Sequence, residues 1–202
     1  MKILDLTHTF TATMPVYRGD PASELKPFGK PGCMDHLLTT GMHVGTHMDG
    51  PLHMIENGKY LSDMPVEHFV GPGHLIDARG HDVIPASLFD GITIKLGSIV
   101  LLFTGHSAKF RSSDYFEKFP VISEEFAKKA VALGVKIVGM DTPSPDVPPF
   151  PVHKILLGSE ILIIENLTNL ESLIGLKNFT VAALPAKFHA DAAPVRVVAM
   201  VK

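Results

Sequence analysis

Eight short apolar runs punctuate the chain: Ile3–Leu6, Leu37–Met42, His74–Ala78, Ser98–Phe103, Val135–Met140, Ile161–Glu165, Phe179–Leu184 and Val195–Val201. Each is rich in Val, Ile, Leu or Phe and is bounded by Gly, Pro, Asp or Asn, the pattern of β-strands. One stretch follows the helical period instead. Over Glu124–Leu133, Phe126, Ala130 and Leu133 share a face, Ser123 stands as N-cap, Glu124 and Glu125 favour the first turn, and Gly134 can close the end. A second, shorter helix is predicted to begin near Val152 and lead into Ile161–Glu165, and a weaker one covers Pro65–Phe69. Strands outnumber helices, and the helices cluster in the second half. The pattern predicts one α/β domain over residues 1–202 with a mixed sheet, not a regular doubly wound one.

Three segments escape both periods. Phe10–Gly32 carries four prolines and three glycines, His43–Gly58 is broken by Gly45, Gly50 and Pro51, and Asp141–Pro151 holds five prolines. Long irregular segments in compact domains tend to carry function.

Composition narrows the functional classes. Apolar residues make up 46%, ample for a core, and charged residues 19%. The net charge is −3 with no dense Lys/Arg stripe, which speaks against a nucleic-acid partner. No apolar run approaches the roughly 20 residues of a membrane span. The N-terminus lacks the apolar core of a signal peptide. The one cysteine, Cys33, has no partner for an internal disulfide. A cytoplasmic protein that acts on a small molecule, without nucleic acid or membrane as partner, is the expectation.

There are 11 histidines and no tryptophan. Three of the histidines fall in the run His43-Val44-Gly45-Thr46-His47-Met48-Asp49-Gly50-Pro51-Leu52-His53. Imidazole and carboxylate are the usual ligands of Zn²⁺, Mn²⁺ and Fe²⁺. If His47–Asp49 is extended, those two side chains point the same way. A bend at Gly45 would let His43 join them, and a turn at Gly50-Pro51 would bring His53 back over the site. His153 and Glu165 form a second candidate pair. Glu165 ends an apolar strand, where a carboxylate is costly unless paired or metal-bound. Spacing alone does not join this pair to the first cluster.

The run matches H-x-G-T-H-x-D-x-P-x-H at every defined position, and so resembles the signature of the cyclase family, which includes bacterial kynurenine formamidase and isatin hydrolase. Weaker similarities follow in order along nearly the whole chain: Ile3–Thr7, Pro15–Pro21, Gly139–Asp146, His153 through Glu165-Asn166, and Pro194-Val195-Arg196. The resemblance implies a swivelling β/β/α fold, assembled as a homodimer or homotetramer. It implies a site of two zinc ions, with a single Mn²⁺ as the alternative. His43, His47 and Asp49 would bind the first ion, His153 the second, and Asp49 and Glu165 would bridge. His53 would be the general acid/base in hydrolysis of an amide or formamide C–N bond.

This chain departs from the formamidases near Tyr17 and Arg18, which stand where those enzymes carry a tryptophan and a proline, and at Asp191-Ala192-Ala193, where they carry D-G-S. Tyr17 is expected as a stacking wall and Arg18 as a partner for a substrate carboxylate. Phe10, Phe28 and Met42 are candidates for pocket or core, and His106 and His189 lie near strand ends. His8, His36, His68, His74 and His81 read as structural or surface residues. A lyase, dehydratase or cyclase could use the same centre, as could a non-catalytic metal binder, although His53 in addition to the ligands speaks against the last.

Overall fold

In the computed structural model, which describes residues 1–201, the strands in chain order are β1 (Lys2–Asp5), β2 (Glu24–Lys30), β3 (Cys33–Thr39), β4 (His47–Asp49), β5 (Val70–Asp77), β6 (Val83–Ile84), β7 (Ile99–Phe103), β8 (Val121–Ile122), β9 (Ile137–Met140), β10 (Leu162–Glu165), β11 (Phe179–Pro185) and β12 (Ala192–Val201). The helices are α1 (Glu124–Ala132) and α2 (Pro151–Gly158). Eight strands form one mixed sheet in the order β1-β12-β11-β5-β7-β9-β10-β4. β4 returns to pair with β12, so the sheet closes on itself. β5, β7, β9 and β10 run parallel; the other pairings are antiparallel. This is the mixed α/β architecture the sequence predicts.

Strand alternation sorts side chains to two cores. On β7, Ile99, Leu101 and Phe103 turn inside the closed sheet, where Met48, Ile164 and Val197 also pack. Val100 and Leu102 turn outward, under Phe126, Ala127 and Ala130 of α1 and Val152, Leu156 and Leu157 of α2. Strands covered on both faces read as continuous apolar runs, which is why β7, β9 and β10 stand out in the sequence. α1 begins as predicted, with Ser123 Oγ accepting from Phe126 N at 3.1 Å. The stretch Pro65–Phe69 is a 3-10 turn at Val66–Phe69 rather than a helix.

The irregular segment Phe10–Gly32 contains a strand the sequence does not announce. β2 pairs with β3 in a hairpin closed at Pro31-Gly32, with Gly32 at φ 83°. A type II turn asks for Pro followed by Gly at those positions. β2 carries Pro27 and Gly29, and neither strand alternates, because neither face of this hairpin is buried. β4 is likewise short, three residues inside the broken segment His43–Gly58. Its pairing fixes the site: Glu165 stands opposite His47, and Ile163 opposite Asp49. On the other side Ala192 stands opposite Asp49 and Pro194 opposite His47.

Candidate metal centre

Met48 turns into the closed sheet, so its neighbours His47 and Asp49 turn outward, as strand alternation requires. Both are fully buried. Gly45, at φ 68°, makes the bend before them. A Cβ there would lie 2.6 Å from Met14 Cε. The bend brings His43 Nδ1 to 2.9 Å from Asp49 Oδ1. Beyond β4, Pro51–His53 forms a 3-10 turn after Gly50, and the His53 ring stacks at a tilt over His43, centroids 4.2 Å apart.

Glu165 and His153 complete the group. His47 Nε2 lies 3.4 Å from Asp49 Oδ1 and 3.3 Å from Glu165 Oε2. His153 Nε2 lies 4.0 Å from Asp49 Oδ2 and 3.5 Å from Glu165 Oε1. Each carboxylate therefore turns one oxygen to His47 and the other to His153. His47 Nε2 and both Asp49 oxygens are buried without a hydrogen-bond partner. Short separations without hydrogen-bond geometry, among buried donors, are what side chains that share a cation look like, and a buried polar atom left unpaired is otherwise costly. Asp49 with His47 and Glu165, and Asp49 with His43 and His53, each gather ligand atoms within 4.8 Å. The donor set fits divalent metal.

Outer partners fix how the imidazoles face. His47 Nδ1 donates to the Gly45 carbonyl at 2.8 Å, and Asn166 Nδ2 donates to the same oxygen at 3.0 Å. The buried Tyr115 hydroxyl donates to Asn166 Oδ1 at 2.7 Å. His153 Nδ1 donates to Asp146 Oδ1 at 2.5 Å, and Asp146 Oδ2 accepts from Val152 N at 2.6 Å in the first turn of α2. His43 Nε2 and His53 Nδ1 both donate to Asp191 Oδ2, at 2.9 and 3.2 Å. Such outer acceptors orient metal-binding histidines and set their tautomers.

Charge follows the same layout. Burial alone would raise the Asp49 pKa; the facing His47 and His43 outweigh it and hold Asp49 well below the carboxylate range. Burial alone would lower His153; the Asp146 hydrogen bond and Glu165 outweigh it and raise it to about 10. His43 and His47 are raised as well, Asp49 outweighing their burial. His53 differs: burial, with His43 and His153 adding, lowers it despite Asp49.

A cavity of about 250 Å³ opens onto the group. Tyr17, Met54, Phe116 and Phe150 form its apolar wall, with Tyr17 edge-on to Phe116. Phe150 holds φ 60° and stands edge-on to His153. Larger hollows lack this convergence of groups: one of about 310 Å³, around Leu61 and Leu184, has no His, Asp or Glu in its wall.

The structure thus brings together His43, His47, Asp49, His53, His153 and Glu165, with Tyr17 in the wall. Arg18 is exposed and does not line the cavity; Asp20 does. The turn that returns Asp20 N to Tyr17 O sends Arg18 and Asp20 different ways. Phe10 and Met42 lie outside the cavity, and Phe28 is on the exposed hairpin. His106 donates to the Tyr115 carbonyl and His189 stacks on Tyr60, and neither lines the cavity. Sequence reasoning missed Asp191, Asp146 and Asn166 as supports. Their positions beside recognisable motifs were visible, but their partners were not.

A closed mixed sheet thus carries buried His, Asp and Glu side chains, with His47 and Asp49 atoms left unpaired, at the mouth of a small apolar cavity, an arrangement suited to a divalent metal beside a small molecule. The Cyclase family model matches residues 4–147. An uncharacterised protein of Methanocaldococcus jannaschii is 35% identical over 99% of this chain and 100% of its own. A kynurenine formamidase of Maricaulis maris is 31% identical over 98% of this chain and 97% of its own. Isatin hydrolase A from Labrenzia aggregata, solved with benzyl benzoate, superposes with a TM-score of 0.87 at 25% identity, over 99% of this chain and 93% of its own. The chain belongs to the cyclase family of metal-dependent hydrolases.

Proposed function

We propose that this protein hydrolyses an amide or formamide C–N bond in a small aromatic molecule. The observation that carries the reading is the set of buried, unpaired donors on Asp49 and His47 facing a cavity walled by Tyr17, Phe116 and Phe150. His43, His47, Asp49, His153 and Glu165 would hold two zinc ions, because Asp49 and Glu165 each present one oxygen to His47 and the other to His153. A single Mn²⁺ is the alternative occupancy. Bound there, a divalent ion lowers the pKa of water and polarises a carbonyl. His53, whose pKa burial lowers, would take a proton from the attacking water and return it to the leaving nitrogen. Tyr17 and Phe116 stack on the ring and exclude water from the reacting carbonyl.

Asp20 lines the cavity, and no Lys or Arg among the described residues does. That balance favours an uncharged cyclic or aryl amide over a carboxylated one. The test is turnover of isatin and of N-formylkynurenine by zinc-loaded protein, with a chelated control, in H₂¹⁸O. Chelator-sensitive turnover with label in the new carboxylate or formate supports hydrolysis; product without label would point to elimination and overturn it.

We also propose that the chain acts as a homo-oligomer in the cytoplasm. Among the described residues the β2–β3 hairpin pairs with no other strand, and it exposes Phe28, Met34, Leu37 and Leu38. A lone two-stranded hairpin is marginally stable in water, and a second copy of the chain would cover it.

A further inference from the structure

Asp191 lies outside every motif that marks the ligands, yet its carboxylate touches two members of the site. It immediately precedes β12. Its carbonyl accepts from Gly50 N at 2.8 Å, and the preceding Ala190 carbonyl accepts from Leu61 N at 3.0 Å. The backbone is therefore pinned against the stretch that runs from Asp49 to Leu61, with Ala192 in register with Asp49. From that anchor one oxygen, Oδ2, accepts from His43 Nε2 at 2.9 Å and from His53 Nδ1 at 3.2 Å.

An ionised carboxylate only accepts hydrogen bonds, and a neutral imidazole carries one N–H. Each nitrogen that faces Oδ2 must then hold the hydrogen. For His43, neutral once it holds a metal, this leaves Nδ1, 2.9 Å from Asp49 Oδ1, as the nitrogen whose lone pair would face the ion. For His53 it leaves Nε2 as the free base, beside a cavity that His53 lines. The two rings are in van der Waals contact, 4.2 Å between centroids, so a shift of one carboxylate would move both.

We propose that Asp191 is a positioning residue that sets the tautomer and orientation of His43 and His53 together, tying the metal shell to the proton-transfer group. This rests on the reading of His43 as ligand and His53 as acid/base. It gives Asp191 no contact with substrate; its action runs through the two rings.

The test uses full-length zinc-loaded protein, its Asp191→Ala and Asp191→Asn variants, and His53→Ala alone and combined with Asp191→Ala. Long-range ¹⁵N–¹H NMR reads the tautomers directly and is expected to show Nε2–H for His43 and Nδ1–H for His53. In Asp191→Ala the His53 signature should be lost or mixed, whereas zinc on Nδ1 keeps the His43 hydrogen on Nε2. Zinc affinity, measured by competition with a chromophoric chelator, should fall about 10–100-fold. kcat should fall by a similar factor with KM nearly unchanged. In the His53→Ala background, Asp191→Ala should lower zinc affinity again but kcat no further. Asp191→Asn keeps the shape, so a folded variant is available if Asp191→Ala is unstable; it should show the same changes at reduced size.

The opposite tautomers in the wild-type protein would overturn the proposal. So would wild-type zinc affinity and kcat in a folded Asp191→Ala or Asp191→Asn protein, or losses in kcat that multiply in full with those of His53→Ala. If the tautomers and zinc affinities behave as expected but no amide is hydrolysed, the positioning role stands and the proposed reaction fails.

Discussion

His153 and His53 sit at one site, yet the same protein environment moves their protons in opposite directions. His153 faces Glu165, Asp49 and Asp146 and is raised to about 10; His53 is lowered by burial. A metal ligand must give up its proton, so zinc binding to the metal-free protein near pH 7 should release protons. Calorimetry in buffers of different ionisation enthalpy measures that number, and zero release would contradict the ligand role of His153. The raised value also carries a stability sign. In metal-free protein the His153 contribution is fully present below its ordinary value of 6.5 and is lost as pH rises through about 10. His53→Ala should lower kcat by about 10²–10⁴-fold with zinc content unchanged, since it removes proton transfer and no ligand of the proposed set. Asp49→Ala should instead lose zinc, because Asp49 approaches His43, His47 and His153. Metal analysis of the purified variants separates the two outcomes.

α2 shows an element serving the site through its end. Its N-cap, Phe150, offers no side-chain cap. Asp146 instead reaches over from the preceding loop, accepting from Val152 N with one oxygen and from His153 Nδ1 with the other. An acidic acceptor at a helix N-terminus satisfies free N–H groups and complements the helix dipole. Asp146→Ala is therefore expected to cost about 1 kcal/mol of stability and to weaken zinc binding on the His153 side. Thermal melts with titrated zinc would show both. α1 has no such duty. Phe126, fully buried among Phe89, α1 and the outer sheet face, anchors it by packing. Phe126→Ala should cost about 3–5 kcal/mol with no specific effect on zinc affinity in whatever fraction remains folded.

At the scale of the whole molecule, closure of the sheet is what assembles the centre. β4 is three residues long and would not persist alone. It is held between β10, which carries Glu165, and the start of β12, which follows Asp191. Zinc that binds only the folded chain should raise the melting temperature, and chelation should lower it. The exposed hairpin belongs to this scale as well. Sedimentation of the intact protein should give a multiple of the 21.9 kDa chain. Phe28→Ser with Leu37→Ser should shift it toward the single-chain mass. A monomeric wild-type protein would remove the assembly proposal and leave the metal centre untouched. No helix among the described residues is long and apolar enough to cross a membrane.

The sequence by itself determined what local physics governs. Alternation put His47 and Asp49 on one face, Gly45 allowed the bend to His43, and Gly50-Pro51 returned His53, all within eleven residues. Ser123 capped α1, and β7, β9 and β10 showed as apolar runs because both their faces are covered. β2 was not legible, and β3 only in its second half as the run from Leu37, because a strand with no buried face has no alternation to read. Arg18 was placed in the pocket and Asp20 was not, since a turn decides which of several neighbours faces inward. Spacing did not join His153 and Glu165 to the first cluster, although the family resemblance implied it, and only the tertiary structure brought Asp191 to His43 across 148 positions and to His53 across 138. The pairing register of β4 with β10 and β12 brings in Glu165 and Asp191, and α2 brings in His153. Register is a property of two segments at once, so neither segment carries it alone.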